Sequence, residues 1–263
     1  MAAHLFEGLD GIRRPEKPRT SGRTMVVDWG IGPHAQLDLL VSGGDYVDFA
    51  KVAVGISRLL SKDILIDKIR TYQNHQVEPF PGGQYFEYAE VQGKADLYIP
   101  AVCDAGYFWI EISDNLGAVT LDWKIKMIRQ AVANHLHVFG EVGKKDGLGS
   151  STSLADDASA CLDAGADIIL LEAAELINED AATARAVEQV VQQNGLDRIM
   201  FELPGPWIEG VNAALIHHVR RQIVDRYGNE VNVGNVDSAD LISFEAYRRG
   251  LGVNAGKDDP LIQ

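Results

Sequence analysis

The sequence has few of the features that mark secreted or membrane proteins. Only two of its 263 residues are cysteine, Cys103 and Cys161, so a disulfide framework is not expected and a reducing cytoplasm fits. No apolar run reaches the roughly 18 residues that a membrane span needs. The first 24 residues also lack the apolar segment of a secretory signal. We therefore expect a cytoplasmic protein with no membrane partner, whose two cysteines are small core residues.

Positive charge is also scarce. The chain has 24 Lys and Arg against 38 Asp and Glu, which gives a formal net charge of −14. Such a chain lacks the basic face that binds nucleic acid, so we expect no nucleic-acid partner. Small anionic substrates remain compatible with this charge, because a few clustered lysines can dominate the electrostatic field inside a cleft.

Three common kinds of site are missing from the sequence. No group of histidines and cysteines has the spacing of a zinc site, and WGIGPH, after the first predicted strand, is a poor dinucleotide-binding loop. Ser57 and Ser113 have no His and Asp partners at a recognisable spacing, so a hydrolytic triad is not supported. The chemistry is therefore expected to come from carboxylates and lysines.

Short apolar runs alternate with longer amphipathic segments, which is typical of βα units. Eight strands are predicted, each followed by a helix, at residues 24–28, 45–51, 76–80, 107–113, 137–141, 167–172, 198–203 and 231–236. The segment 86–104 is predicted to be helical, with breaks near Gly93 and Pro100. The pattern predicts a single α/β domain, a (β/α)₈ TIM barrel over residues 23–263, preceded by a partly ordered arm over residues 1–22. A doubly wound open sheet is the alternative, but it needs fewer strands and a glycine-rich phosphate loop.

Charged and polar residues stand where the predicted strands end. They are Asp28, Lys51, Glu111, Ser113, Asp114, Glu141, Glu172, Glu202, Asn235 and Asp237. In a barrel, the carboxyl ends of all strands meet at one mouth, where the active sites of this fold lie. A ring of carboxylates repels itself unless a cation binds or some of them are protonated. Because oxygen ligands favour a hard ion, the sequence predicts Mg²⁺ at this mouth.

The stretch HVFGEVGKK, residues 137–145, is the most informative strand end. Glu141 is followed by a glycine turn and by Lys144 and Lys145, a combination that indicates a site for a metal ion and an anionic substrate. Lys51 interrupts an apolar strand and is expected to face the same site, and His34 is the one histidine expected at the mouth. Each glutamate alone is also compatible with a structural ion pair, and both lysines with a solvated loop.

Seven segments, in this order, resemble the phosphosulfolactate synthase family: GGDYVDFAKVAVGIS, PFPGGQYFEYA, FWIEISDN, GEVGKK, LDAGADIILLE, IMFELP, and VNVGNV with LISFEAYRRGLG. The resemblance extends over about residues 24–251. It implies a (β/α)₈ barrel that acts as a lyase-type enzyme, adding sulfite to phosphoenolpyruvate with Mg²⁺. The product would be (2R)-phospho-3-sulfolactate, at the first step of one route to coenzyme M.

The resemblance also implies roles for individual residues. Lys144 matches the lysine expected to donate the proton that completes the addition, and Lys51 and Glu141 match its expected catalytic companions. The residues expected to hold Mg²⁺ are Glu111, Glu141, Glu172 and Glu202. From their places near the mouth, the residues expected to bind substrate are Asp28, His34, Ser113 and Lys145. We also expect a homo-oligomer.

Two cations of the family pattern are replaced in this chain. Trp29 follows Asp28 where the family has a lysine, and Ala173, Ala174 and Glu175 stand where the family has an arginine after the sixth strand. Losing such an anion contact costs on the order of 1–3 kcal/mol, so the anion site is expected to differ. Two alternatives therefore stay open: a lyase or aldolase-type enzyme acting on another small acid or sulfonate, and a non-catalytic family member.

Overall fold

The computed structural model describes residues 5–6, 8–9, 11–143, 153–172, 181–253 and 255. Its eight strands are β1 Thr24–Asp28, β2 Phe49–Val52, β3 Glu78–Pro81, β4 Trp109–Ile112, β5 His137–Val142, β6 Ile168–Leu171, β7 Ile199–Glu202 and β8 Asn232–Asp237. All hydrogen-bonded pairs are parallel, in the order β3-β2-β1-β8-β7-β6-β5-β4. Because β3 and β4 at the two ends of this order also pack side by side, the sheet curls into a nearly closed barrel. The predicted (β/α)₈ barrel is confirmed.

Helices separate successive strands, with two helices after β2 and two after β3. Those of the described residues are α1 Pro33–Gly43, α2 Ile56–Leu59, α3 Lys62–Asn74, α4 Gln84–Val91, α5 Tyr98–Ala105, α6 Leu121–Ala133, α7 Leu154–Asp163, α8 Ala181–Asn194, α9 Ala213–Tyr227 and α10 Leu241–Arg248. The side chains of Thr120, Ser153 and Asn212 accept backbone N–H bonds at the starts of α6, α7 and α9, as N-cap residues do. Among the described helices, none combines the length and the apolar character needed to cross a bilayer.

Some details differ from the prediction: the strand expected at 45–51 begins only at Phe49, because Gly44–Tyr46 form a 3₁₀ helix. The helical segment breaks at Gly93, whose φ is +65°, but not at Pro100, which is the third residue of α5. The predicted break at Pro100 is wrong because the first turn of a helix needs no N–H from that position. Both cysteines are free, and Cys161 is buried as predicted, whereas Cys103 is exposed on α5 and is not a core residue.

An apolar layer fills the inside of the barrel. Its aromatic rings touch, with the Phe139 centroid 5.0 Å from that of Phe49 and 4.5 Å from that of Phe80. Five residues of this layer point inward from β2, β4, β5, β6 and β7: Phe49, Trp109, Phe139, Leu170 and Met200. Two positions later in the same strands come Lys51, Glu111, Glu141, Glu172 and Glu202. Because side chains alternate along a strand, these charged residues also point inward, one layer nearer the mouth.

At the opposite end of the barrel, ion pairs hold residues 11–22 of the arm. Arg14 pairs with Glu245 and also donates to the Gly22 carbonyl. Arg19 Nε lies 2.9 Å from Asp48 Oδ1, just before β2 begins. All these residues are buried. This end therefore carries structural ion pairs, while the mouth carries the charged layer.

Candidate active site

Three glutamates from adjacent strands converge at the mouth of the barrel. Glu141 lies in β5, Glu172 directly follows β6, and Glu202 ends β7. Each is at most 2% exposed, and each offers a carboxylate oxygen within 4.8 Å of those of the other two. Buried carboxylates at this spacing repel one another unless a cation neutralises them. Three clustered oxygen donors suit a hard divalent ion, so these residues fit Mg²⁺.

Lys51 supplies positive charge beside this cluster. Its Nζ lies 2.8 Å from Glu202 Oε1 and 2.8 Å from Glu111 Oε2. Burial disfavours the ammonium, but the carboxylates of Glu111, Glu202 and Glu141 outweigh burial and hold the pKa of Lys51 well above its ordinary value. Lys51 therefore keeps its proton near neutral pH.

Glu111 is set apart from the other three glutamates by its partners. Its Oε1 accepts a hydrogen bond of 2.9 Å from the Gly83 backbone N–H, and its Oε2 faces Lys51. Burial raises the pKa of Glu111 to about 8, although the Lys51 ammonium opposes the rise. A Cβ at Gly83 would lie 2.6 Å from Ser113 Oγ and 3.1 Å from Glu111 Oε1, which explains why a glycine stands there. Of the four glutamates predicted to hold metal, three form the group of clustered carboxylates, and Glu111 is not among them although it shares Lys51 with Glu202.

Asp28 is not brought into this cluster. Its Oδ2 accepts hydrogen bonds from Lys68 Nζ at 2.6 Å and from Tyr72 Oη at 2.9 Å, both on α3. Its Oδ1 accepts from the backbone N–H groups of Gly30 and Ile31, at 2.7 and 2.9 Å. The side chain thus lies on the helix-facing side of β1, where it shapes the turn into α1.

The other residues predicted to bind substrate differ in their exposure to solvent. Ser113 is buried and donates a hydrogen bond to the Glu87 carboxylate. His34 is exposed as the second residue of α1. Lys144, Lys145, Ala173, Ala174 and Glu175 lie outside the described residues.

Two contacts to Glu141 come from residues that the strand-end pattern did not predict. Asn115 Nδ2 donates to Glu141 Oε1 at 2.8 Å. Lys124, on α6, donates to the Glu141 backbone carbonyl and to Asp114 Oδ1, both at 2.9 Å. Asn115 follows β4 as the other strand-end residues follow their strands, so its position was an available signal. Lys124 had none, because a lysine on an amphipathic helix is usually exposed.

Two tryptophans stand beside each other in loops at the carboxyl ends of their strands. Trp29 directly follows β1 and Trp207 lies in the loop after β7, with ring centroids 5.2 Å apart and planes at 54°. They remain 45% and 38% exposed. A Cβ at Gly205 would come within 2.1 Å of the Trp207 ring, so only glycine lets this ring fold back over the backbone. An aromatic pair therefore occupies this part of the rim.

Comparisons with known proteins agree with the fold and with the motifs. The profile of the family described as (2R)-phospho-3-sulfolactate synthase (ComA) matches residues 12–254. The chain is 32% identical over 256 residues to the phosphosulfolactate synthase of Methanothermobacter thermautotrophicus, covering 93% of this chain and 95% of that one. It is 31% identical over 241 residues to the phosphosulfolactate synthase of Methanocaldococcus jannaschii, covering 88% and 92%.

Similarity to solved structures supports the fold alone. A truncated form of 3-deoxy-D-arabino-heptulosonate 7-phosphate synthase from Thermotoga maritima superposes with a TM-score of 0.57 at 9% identity, covering 87% of this chain and 86% of that one. Such a low identity carries no argument about activity. The family match spans nearly the whole chain, and the resemblance of the motifs is confirmed: the protein belongs to the phosphosulfolactate synthase family.

Proposed function

We propose that the protein catalyses the Mg²⁺-dependent addition of sulfite to phosphoenolpyruvate, forming (2R)-phospho-3-sulfolactate. The observation that carries this proposal is the buried set of Glu141, Glu172 and Glu202 beside Lys51, at the mouth of a barrel of this family. The reaction joins two anions, so it needs both a metal site and fixed positive charge. The mouth supplies candidates for both.

The addition forms a C–S bond at C3 and a C–H bond at C2, and it breaks the π bond between these two carbons. The sulfur lone pair attacks C3 of phosphoenolpyruvate, and the electrons of the double bond move toward C2 and the adjacent carboxylate. Glu141, Glu172 and Glu202 would hold Mg²⁺, which supplies Lewis-acid stabilisation of the negative charge that develops there. The C2 carbon then takes up one proton, and no phosphate leaves.

The residues of the chain contribute in separate ways. Lys51 is charged throughout, which offsets part of the acidic layer and keeps Glu202 oriented through its 2.8 Å contact. Lys144 is proposed as the donor that delivers the proton to one face of C2 and so sets the configuration. Lys145 and Ser113 are proposed as substrate contacts. The roles of Lys144 and Lys145 rest on the family motif EVGKK.

One observation favours a second candidate function. The Trp29–Trp207 pair lies on the rim, where it offers an apolar face instead of a cation. A lyase or aldolase-type enzyme acting on a less charged acid would use that face. A non-catalytic role is less well supported, because burying Lys51 with several glutamates costs stability that a scaffold has no reason to lose.

The first test is incubation of the full chain with phosphoenolpyruvate, sulfite and Mg²⁺, followed by ³¹P NMR. We expect the phosphoenolpyruvate signal to be replaced by that of a phosphate ester, without inorganic phosphate and only while Mg²⁺ is present. Absence of turnover over a wide range of concentrations would refute the proposal. A melting-temperature screen against 2-oxo acids, sulfonates and phosphorylated acids then tests the second candidate, since a substrate stabilises the folded state.

We further propose that the protein works in the cytoplasm as a homo-oligomer. The two free cysteines are compatible with a reducing compartment. Sedimentation equilibrium tests the oligomer, and a single species of 28.7 kDa would contradict it.

A further inference from the structure

We propose that Glu87 and Asn115 are positioning residues that hold the Glu141 carboxylate ready for the metal ion. This inference rests on the proposed function only in taking Glu141 as a metal ligand. Asn115 makes the direct contact, and Glu87 fixes the loop that carries Asn115. Neither residue is assigned to the reaction itself.

Both carboxylate oxygens of Glu87 accept hydrogen bonds from the loop that follows β4. Glu87 lies on α4 and is fully buried. Its Oε1 accepts the hydrogen bond from Ser113 Oγ, and its Oε2 accepts the Leu116 backbone N–H at 2.7 Å. The two donors flank Asn115 in the chain, so the single carboxylate fixes the loop on both sides of that residue.

Asn115 connects the fixed loop to Glu141, one of the three clustered glutamates. Its Nδ2 donates to Glu141 Oε1 at 2.8 Å, and that group cannot accept. The hydrogen bond therefore restricts rotation of the Glu141 carboxylate, as outer partners of metal ligands do. Outer partners of this kind typically contribute about 10–100-fold to metal affinity.

The burial of Glu87 is difficult to explain by packing alone. A carboxyl group without exposed area loses its hydration, and burial raises the pKa of Glu87, while the hydrogen bonds from the loop oppose the rise. Its neighbour Phe86 packs in the apolar core, stacked on Tyr98 with centroids 4.4 Å apart. A leucine at position 87 would fill such a site at lower cost, so the carboxylate is present for its two acceptor oxygens.

A second anchor holds the loop from the other side. Lys124 Nζ bonds Asp114 Oδ1 and the Glu141 backbone carbonyl, both at 2.9 Å. The loop is thus pinned to α4 by Glu87, to α6 by Lys124, and to β5 by Asn115. These three anchors restrict the motion of the loop, so the Asn115 side chain is held in place against Glu141.

The test measures Mn²⁺ binding by electron paramagnetic resonance, with Mg²⁺ as competitor, on the full chain. We expect Glu87→Ala and Asn115→Ala to weaken Mn²⁺ binding by about 10–100-fold. Glu87→Gln should bind as the wild type does, because its amide oxygen can accept from Leu116 while its NH₂ donates to a rotated Ser113 hydroxyl. Asn115 is only partly buried, so its alanine variant keeps the test open if Glu87→Ala fails to fold.

Asp48→Ala is the matched control. Asp48 is a buried carboxylate that also accepts from a side chain and a backbone N–H, Arg19 Nε at 2.9 Å and Thr24 N at 2.8 Å, but at the other end of the barrel. We expect it to lower the melting temperature and leave Mn²⁺ binding within about twofold of the wild type. Equal weakening in this control would show general loosening and overturn the inference.

The remaining outcomes separate this inference from the proposed function. Folded Glu87→Ala and Asn115→Ala variants that bind Mn²⁺ like the wild type overturn it, and so does a Glu87→Gln variant as weak as the alanine variant. A wild type that binds Mn²⁺ but does not consume phosphoenolpyruvate refutes the proposed reaction alone. A wild type that binds no Mn²⁺ overturns both.

Discussion

Lys51 Nζ lies 2.8 Å from Glu202 Oε1, which joins the second strand of the barrel to the last residue of the seventh. The two strands are not neighbours in the sheet, because β1 and β8 stand between them. The contact therefore crosses the inside of the barrel. It places one permanent positive charge beside the three clustered glutamates, and it makes Lys51 the residue whose loss has the largest predicted effect.

Replacing Lys51 by methionine should destabilise the protein and abolish activity. The change leaves the buried carboxyl groups of Glu111 and Glu202 without their lysine partner, and breaking a buried ion pair typically costs about 3–5 kcal/mol. Urea denaturation measures the loss. The double variant Lys51→Met, Glu111→Gln should recover part of it, since it replaces one of the two buried carboxyl groups that lose their lysine partner. A single variant as stable as the wild type would contradict the ion-pair assignment.

Glu111 should make stability fall as pH rises from about 5 to about 8. Its folded pKa is raised from 4.5 to about 8, so in this window the unfolded chain loses the proton while the folded chain retains it, and unfolding is favoured. We expect Glu111→Gln to remove this part of the slope when urea denaturation is compared at several pH values in EDTA. Parallel pH dependences for the variant and the wild type would contradict the raised pKa.

Glu172→Gln should change stability in opposite directions with and without metal. In EDTA the variant is expected to be more stable than the wild type, because one of three repelling carboxylates is gone. Mg²⁺ at 100 times its Kd should stabilise the wild type by about 2.7 kcal/mol and the variant far less. Thermal melts in EDTA and in Mg²⁺ measure both effects. Identical Mg²⁺ responses would remove Glu172 from the metal site.

Trp29→Lys should lower the KM for phosphoenolpyruvate if Trp29 occupies a former anion contact. A charge-assisted hydrogen bond contributes about 1.5–3 kcal/mol, so we expect a decrease of roughly tenfold or more, and it should weaken at high salt. Trp29→Phe is the control, because it removes the Trp207 contact geometry without adding charge. Equal KM values for the two variants would show that the rim at this position does not meet the phosphate.

The strand-end pattern was sufficient to predict the barrel and the charged layer. An apolar run predicts a strand. A glutamate or lysine two positions beyond an inward-facing apolar residue also faces inward, so it predicts a charged side chain at the mouth of the barrel. Glu141, Glu172, Glu202 and Lys51 were found in this way, since each lies at the end of its own strand. The EVGKK and PGG motifs added the family, which the profile match then confirmed.

Only the tertiary structure showed whether the side chain of a strand's last residue points into the barrel or toward the surrounding helices. Asp28 ends β1 and Glu202 ends β7, yet Asp28 bonds Lys68 on the helix side while Glu202 faces the cluster. The side-chain direction reverses with every residue, so an uncertainty of one position in a strand end reverses the prediction.

Contacts between distant segments were likewise beyond the sequence. The bond from Asn115 to Glu141, the grip of Glu87 on Ser113 and Leu116, and the pairing of Glu111 with Lys51 join residues 26 to 60 positions apart. The sequence alone determined the residue types at the mouth and the order of strands that brings them there. The tertiary structure decided which carboxylates contact Lys51 and which loop contacts Glu141. Such side-chain partners depend on how the helices pack around the barrel and not on the local sequence pattern.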